Sequence, residues 1–193
     1  AVSMRFGLQG PNETICTACA AGTHALNYAA RLIAWGQIDA AVSGGTEHAA
    51  TVTAIAGFGN MTALSSSGTS RPFDSGRDGF VMGEGAAAFV LEEWETAKAR
   101  GATILGEILG GASNADAYHI TAPSPGGVGA ITCMRLALET VKLPVDYINP
   151  HATSTPVGDI KEMEALRAVF GTGDNCPPIS ATKSLTGHSL GAT

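Results

Sequence analysis

Residues 13–43, with the sequence ETICTACAAGTHALNYAARLIAWGQIDAAVS, contain the pattern that decides the fold. Glu13 to Cys19 is typical of a short buried strand, and from Ala20 to Trp35 the apolar residues recur at helical spacing. Gly36 ends that helix. Ile38 to Ser43 is a mostly apolar run, typical of a strand buried on both faces. The stretch therefore predicts a strand, a helix and a second strand, with a cysteine where the first strand meets the helix.

The same alternation continues along the rest of the chain. Residues 64–72, LSSSGTSRP, form a loop by their turn chemistry. Further strands are predicted over residues 86–91, 104–109, 145–149 and 178–182, and further helices over 92–100, 127–141, 159–170 and from 185 onward. Because strands alternate with helices throughout, the predicted fold class is α/β with layered sheets, and we expect any domain boundary within residues 113–129.

Composition excludes several classes of protein. Of the 193 residues, 45% are hydrophobic and 15% are charged, which suits a sizeable core and argues against disorder. The net charge of −6 leaves no basic face, so nucleic acid is not an expected partner. No stretch reaches the roughly 18 apolar residues of a membrane span, and the N-terminus lacks the apolar core of a signal peptide. The four cysteines form no dense framework, which favours a reduced, cytoplasmic protein.

Cys19 is the first candidate for chemistry. At the start of a helix its thiol meets a partial positive charge that favours the thiolate, and the small residues around it leave backbone N–H groups free for an oxyanion. This is the logic of a nucleophile elbow with sulfur in place of oxygen. A buried structural cysteine is the alternative. Cys16 and Cys19 also form a C-x-x-C, but Cys133 and Cys176 stand alone, so a redox pair or a zinc site is disfavoured.

Two histidines each follow a predicted strand in the second half of the chain. His151 opens the polar loop ATSTP, residues 152–156, and His188 lies at another strand-to-helix turn. Together with Cys19 they place three reactive side chains at the carboxyl ends of strands, where open α/β sheets have their ligand sites. One thiol and two imidazoles can hold an acyl thioester and polarise a carbonyl.

Other side chains flank these candidates. Lys183 lies five residues before His188, where it is either a structural cation or a group that tunes the imidazole. Thr153 and Thr155 offer hydroxyls beside His151, although such loops are usually turns. No glycine-rich dinucleotide or phosphate loop occurs. The remaining histidines are interpreted as structural: His24, His48 and His119.

Five motifs resemble those of one enzyme family. Thr17–Ala20, His151–Pro156 and Lys183–His188 occur in the order of the three active-site motifs of the β-ketoacyl-(acyl-carrier-protein) synthases of types I and II. Ser70–Asp74 and Arg77–Val81 are similar to the central segment of that family. The likeness spans essentially the whole chain.

The resemblance implies a thiolase-like layered α/β/α/β/α fold built from two similar halves. Residues 1–115 would be the C-terminal part of the half that carries the nucleophile, and residues 116–193 the first part of the half that carries the histidines. Family members are roughly twice as long, and neither end of this chain looks natural, so the fold is expected to be incomplete. A homodimer is also implied.

The resemblance further implies a role for each candidate residue. Cys19 would take an acyl group from the phosphopantetheine arm of an acyl carrier protein, the expected partner. His151 and His188 would stabilise the enolate formed when malonyl-carrier protein loses its carboxyl group. Lys183 would order this site, and the hydroxyls of Thr153 and Thr155 would bind the pantetheine arm. No cofactor and no catalytic metal are expected, and some members hold a structural monovalent cation near the position of Asn149.

Alternatives remain within and outside the family. Another thiolase-fold acyltransferase would use a second cysteine or a His/Asn pair, which His188 within KSLTGH disfavours. A non-catalytic chain-length factor usually lacks the nucleophile, and Cys19 is present. Ala152 stands where the family usually has Gly. Residues 131–193 are most similar to type I enzymes, whereas residues 5–70 lean toward type II and polyketide ketosynthases, which leaves fatty-acid and polyketide pathways open.

Overall fold

A computed structural model describes all residues from 1 to 193. It contains two strands, β1 (Ala40–Glu47) and β2 (Gly85–Glu92). The helices are α1 (Val2–Phe6), α2 (Ala21–Ala34), α3 (Val52–Asn60), α4 (Trp94–Ala99), α5 (Val128–Leu138), α6 (Gly158–Phe170) and α7 (Lys183–Thr186). Short 3-10 turns lie at Ala18–Ala20, Pro125–Gly127, Gly173–Asn175 and Leu190–Ala192. None of the helices combines the length and the apolar character that crossing a bilayer requires.

The chain divides into two compact units, each made of discontinuous stretches of sequence. Unit 1 comprises Ala1–Glu47, Gly85–Glu107 and Leu190–Thr193. Unit 2 comprises His48–Glu84 and Ile108–Ser189. The expected division into residues 1–115 and 116–193 concerns the two halves of the family fold and stays a prediction.

Unit 1 is built on an antiparallel pair of strands. β1 and β2 pair along their whole length, from Ala40 opposite Glu92 to Glu47 opposite Gly85. Helix α2 packs closely on β1, because a Cβ on Gly45 of β1 would lie 3.2 Å from the Cα of Gly22 of α2. The 3-10 turn at Leu190–Ala192 lies against both, since the same Cβ would also meet the carbonyl of Gly191. Ala29 and Leu32 of α2 are buried in this unit.

Unit 2 has a small core with several buried polar side chains. Its buried apolar residues are Phe80, Ala152, Ala165 and Leu166. Its strand-like segments pair only through isolated parallel bridges, which join Leu64 to Phe80, Met82 to His188, and Ile148 to Ile179. The buried polar residues are Ser124, Ser154, Asp159, Lys183 and His188.

Most predicted helices and both central strands are confirmed. The pattern over residues 20–35 forms α2, residues 92–100 contain α4, residues 127–141 contain α5, and residues 159–170 form α6. β1 and β2 lie where residues 38–43 and 86–91 predicted strands. Both strands are less buried than the apolar runs predicted, since Val42 is 47% and Val90 69% exposed. A sheet of two strands has no inner strand to bury.

Other predicted elements are wrong. Residues 13–19 and 104–109 form no strand, because no segment of the chain pairs with them. Residues 145–149 and 178–182 keep one bridge between them. From residue 185 onward the chain makes the end of α7 and a 3-10 turn rather than a helix. The pattern gave no sign of α1 and α3. A strand exists only through its hydrogen-bonded neighbour, and no local pattern specifies that neighbour.

Candidate active site

Cys19 lies in unit 1, in the 3-10 turn just before α2. The predicted strand before it is absent, but the sharp turn is present: Ala18 has a φ of 51° and the N–H of Ala20 donates to the carbonyl of Thr17 at 3.2 Å. A non-glycine residue with positive φ is uncommon and often marks a functional turn. The half-buried Cys19 is therefore held at the N-terminal end of a 14-residue helix, where the helix dipole favours an anionic group.

Two side-chain contacts fix the segment that precedes this turn. A hydrogen bond of 2.8 Å joins Thr17 Oγ1 and His24 Nδ1. Tyr28 Oη donates to Glu13 Oε1 at 3.2 Å, and the nearby carboxylate raises the pKa of the Tyr28 phenol. Residues 13–17 are thus tied to α2 by side chains instead of by a sheet. His24 has the structural role that its sequence context suggested.

The two candidate histidines lie together in unit 2. The ring centroids of His151 and His188 are 5.2 Å apart, with the rings edge to face at 86°. The His188 ring also packs edge to face against the ring of Phe80, with the ring centroids 5.5 Å apart. Aromatic rings favour this geometry, which leaves each imidazole a fixed orientation.

Backbone hydrogen bonds hold His188 in place. Its N–H donates to the carbonyl of Val81 at 2.7 Å, and its carbonyl accepts from the N–H of Gly83 at 2.8 Å. The preceding Gly187 has a φ of 66°, and a Cβ there would approach the Val81 carbonyl to 3.0 Å. Only glycine suits both demands at the end of α7.

Glu162 holds the backbone at His151, a role that the sequence did not reveal. Its carboxylate accepts from the N–H of His151 and from the N–H of Ala152, both at 2.6 Å. Burial raises the pKa of Glu162, although these two donors oppose the rise. In the sequence Glu162 is one of several acids on the amphipathic helix α6, so nothing distinguished it from an exposed carboxylate.

Both imidazoles are kept neutral. Although part of the His151 ring reaches solvent, the protein around it and, to a lesser extent, the Lys183 ammonium lower its pKa to about 4. Burial lowers the pKa of His188 to about 3, with smaller contributions from His151 and Lys183. Lys183 is only 3% exposed. A buried cation beside two histidines disfavours the imidazolium forms.

The loop after His151 presents the two threonines. Thr153 Oγ1 and Thr155 Oγ1 are 3.3 Å apart, and the N–H of Thr155 donates to Asp159 at 3.1 Å. Ala152, at the usual position of a family glycine, has a φ of 29° and is 1% exposed. Unit 2 therefore brings His151, Thr153, Thr155, Lys183 and His188 into one region.

The histidines outside this region have other contacts. His48 Nδ1 lies 2.7 Å from Glu84 Oε1 on an exposed surface. His119 Nδ1 accepts from the N–H groups of Thr121 and Ala122, which closes a turn. Both contacts agree with the structural interpretation.

The fold and the paired imidazoles point to a class of proteins with the thiolase-like ketosynthase fold. Residues 1–97 match the family described as Beta-ketoacyl synthase, N-terminal domain, and residues 105–193 match Beta-ketoacyl synthase, C-terminal domain. The chain belongs to the β-ketoacyl synthase family.

Curated relatives and solved structures agree with this assignment. The chain is 47% identical over its whole length to 3-oxoacyl-[acyl-carrier-protein] synthase 2 of Staphylococcus aureus and covers 49% of it. It is 48% identical over 99% of its length to the same-named protein of Coxiella burnetii and covers 48% of it. The chain thus spans about half the length of the curated relatives it matches.

Two solved structures show the shared fold. One is a type II polyketide-synthase acyl-carrier protein in complex with its ketosynthase, at a TM-score of 0.94 and 36% identity over 99% of this chain and 49% of the other. The second is a β-ketoacyl synthase from Burkholderia phymatum, at a TM-score of 0.92 and 43% identity over 99% of this chain and 47% of the other.

Proposed function

We propose that this protein catalyses the decarboxylative condensation of an acyl group with malonyl-carrier protein, to give β-ketoacyl-carrier protein in fatty-acid elongation. The observation that carries the proposal is the pair of imidazoles, 5.2 Å apart and with pKa values of about 4 and 3. A neutral imidazole has one N–H donor, so two of them can donate to a single developing oxyanion.

In the first step the Cys19 thiolate attacks the acyl-carrier-protein thioester. A new C–S bond forms to Cys19, the pantetheine thiolate leaves and takes up a proton, and the acyl group is held covalently. The turn at Cys19 supports this role. Ala18 is in the left-handed region, and the turn places the thiol at the N-terminal end of α2, where the helix dipole favours a thiolate.

In the second step the carboxyl group of the malonyl thioester leaves as carbon dioxide. The electrons of the broken C–C bond pass into an enolate, whose oxygen accepts hydrogen bonds from His151 and His188. The enolate carbon then attacks the Cys19 thioester, and the Cys19 thiolate leaves. The backbone N–H of Cys19 donates to the oxyanion of that tetrahedral intermediate.

The other residues orient the reactants. Burial keeps both rings neutral, and the buried Lys183 ammonium adds to that effect, so their N–H groups stay available as donors. The adjacent hydroxyls of Thr153 and Thr155 are suited to hydrogen-bond the amide groups of a pantetheine arm. Electrons and atoms balance without a redox or nucleotide cofactor or a catalytic metal, so none is proposed.

Partners and location follow from the same chemistry. An acyl carrier protein is the proposed partner, because the structural neighbour with a TM-score of 0.94 is a ketosynthase in complex with its acyl-carrier protein. A homodimer in the cytoplasm, away from membranes and nucleic acid, completes the proposal. Elongation of polyketides is the second candidate, because one structural neighbour is the ketosynthase of a type II polyketide synthase.

A non-catalytic partner subunit is the alternative from another class. The solved neighbours include a ketosynthase/chain length factor at a TM-score of 0.85 and 40% identity. The presence of Cys19 favours the catalytic member of such a pair.

The test is to label the full-length protein with the condensing-enzyme inhibitor cerulenin, or with an acyl-carrier protein, and to map the adduct by peptide mass spectrometry. We expect the adduct on Cys19, its loss in Cys19→Ala, and a fall in condensation on the order of 10³-fold or more. Cys16→Ala is the matched control and should retain near-wild-type activity. An adduct on Cys16, or none on a folded protein, would favour the redox or the non-catalytic alternative.

A further inference from the structure

The two central motifs, Ser70–Asp74 and Arg77–Val81, have no role in the reaction steps above. Both lie in unit 2, within the segment of residues 70–83. This segment, called here the connecting segment, contacts the loop of residues 151–156 and the backbone of His188.

Arg77 binds the loop after His151 through backbone carbonyls. Its guanidinium donates from Nε to the carbonyl of Thr155 at 3.0 Å and from Nη2 to the carbonyl of Pro156 at 2.5 Å. Its Nη1 donates to the carbonyl of Asp74 at 2.7 Å. The Arg77 side chain is 10% exposed, and Asp159 lies 3.8 Å away to balance its charge. The planar fork of arginine directs its donors from three separate nitrogens to three carbonyls, whereas the three donors of a lysine all diverge from one nitrogen.

A second set of contacts surrounds the middle of the same loop. Ser154 is fully buried; its hydroxyl accepts from the N–H of Arg71 at 2.9 Å and its carbonyl accepts from the N–H of Gly79 at 3.1 Å. Asp159, also buried, accepts from the N–H of Phe73 at 2.8 Å and from the N–H of Thr155 at 3.1 Å. The connecting segment thus contacts the loop on successive residues.

The loop itself has a backbone that needs such support. Ala152 has a φ of 29° and Ser154 a φ of 71°, both in the left-handed region that favours glycine. Non-glycine residues persist there only when their surroundings determine the conformation. The hydrogen bonds from Arg71, Arg77 and Gly79 supply that determination for the residues that follow His151.

The far end of the connecting segment holds the second histidine. Val81 accepts from the N–H of His188, and Gly83 donates to its carbonyl. The ring of Phe80 packs against the His188 imidazole at 5.5 Å. One continuous stretch of chain therefore contacts the surroundings of both imidazoles.

We propose that Arg77 is a positioning residue, which sets the place of the His151 imidazole relative to that of His188 by holding the carbonyls of Thr155 and Pro156. The proposal rests on the proposed function for its effect on rate. A displacement of about 1 Å at reacting groups can cost on the order of 10²-fold in rate. The affected step is the decarboxylation, because that step uses both imidazoles, whereas acyl transfer to the thiol does not need them as a pair.

The test compares Arg77→Lys with wild type in the full-length protein. Lysine keeps the positive charge beside Asp159 but not the three-carbonyl fork. Two rates are measured separately: release of carbon dioxide from malonyl-carrier protein, and transfer of octanoate from octanoyl-carrier protein to Cys19. We expect the first rate to fall on the order of 10²-fold and the second to stay within about threefold. The matched control is Arg167→Lys, an exposed arginine on α6 that should change neither rate.

Hydrogen exchange gives a second readout that needs no activity. Peptides covering residues 151–156 should exchange faster in Arg77→Lys than in wild type, and not in Arg167→Lys. Unchanged exchange, or equal losses in both rates, would overturn the positioning role. Wild-type protein that neither forms the Cys19 adduct nor releases carbon dioxide would instead contradict the proposed function, while exchange would still decide the role of Arg77.

A milder variant guards against a folding defect. Ser154→Ala removes only the acceptor of the Arg71 N–H, and should slow carbon dioxide release by between about twofold and tenfold with octanoate transfer retained. A Ser154→Ala protein with wild-type decarboxylation and wild-type exchange at residues 151–156 would count against the connecting segment as the positioning element.

Discussion

Lys183 is the charge that acts on both imidazoles of unit 2. It is nearly fully buried, and its ammonium adds to the burial that lowers the pKa of His151 and of His188. It also opposes the burial that raises the pKa of Glu162, the carboxylate that holds the His151 backbone. One side chain thus contributes to the protonation state of three others, in each case as a smaller cause than burial.

Replacing Lys183 by methionine should raise the pKa values of His151 and His188 by a small amount, because the neighbouring positive charge is lost while burial, the larger cause of both low values, remains. The pKa values can be measured by NMR titration of the imidazole carbon-bound protons. As the pH is lowered, decarboxylation by the variant should begin to fall at a higher pH than that of wild type, because the imidazolium forms become populated earlier. Lys161→Met, which removes a partly exposed lysine paired with Glu164, is the control. Imidazole pKa values that stay at or below the wild-type ones would contradict this account.

At the scale of elements, the packing of α2 on β1 depends on glycines. Gly45 of β1 has no room for a side chain, since a Cβ there would meet backbone atoms of Gly191, Ala192 and Gly22. Gly57 of α3 has open space around its Cα. The position of Gly45 therefore requires a residue without a side chain, whereas the position of Gly57 has room for one.

Gly45→Ala should destabilise the protein by about 1–3 kcal/mol, because rigid backbone atoms would have to move. Gly57→Ala should stabilise it by about 0.5–1 kcal/mol, because alanine loses less entropy than glycine in an exposed helix. Urea unfolding of the two variants and wild type gives both values. Since both changes restrict the unfolded chain equally, equal effects of the two substitutions would contradict the close packing at Gly45.

At the scale of the whole molecule, the buried ionisable groups make stability depend on pH. His188 and His151 have folded pKa values below 6.5, so the unfolded chain binds more protons than the folded one once the pH drops below that value. Glu162 acts in the opposite direction, since its raised pKa favours the folded state only at low pH. The folded state therefore loses the contribution of the histidines as the pH falls from about 6.5 toward about 3.

The free energy of unfolding of wild type should fall more between pH 7 and pH 5 than that of His188→Gln. For a histidine as buried as His188 the expected difference is on the order of 1–2 kcal/mol. Denaturant unfolding at the two pH values measures it. If the two proteins lost the same stability over this interval, the imidazole of His188 would not be held neutral by its surroundings.

Several features of the fold could be predicted from local patterns. Helices α2 and α6 follow from apolar spacing, and the loop at residues 64–72 follows from its turn residues. The strand expected at residues 13–19 shows the limit, because Thr17 and Glu13 are tied to α2 by side chains instead of by a ladder. Period and turn chemistry are local properties, whereas strand pairing is decided by distant segments.

The candidate site divides in the same way. Motif order indicated Cys19, His151, Lys183 and His188 as the groups of interest. It did not indicate Glu162, one of three acids on the amphipathic helix α6. The carbonyls held by Arg77 have no signature in sequence at all, because every residue has a carbonyl.

By itself, the sequence determined the α/β succession of elements, the family motifs and the kinds of reactive group they carry. Only the tertiary structure decided that the two imidazoles stand edge to face and neutral beside a buried lysine, and that the connecting segment binds the loop of one and the backbone of the other. The physical reason is that residue type and spacing encode local conformation and chemistry. Ring orientation, burial and pKa depend on which distant parts of the chain fold against each other.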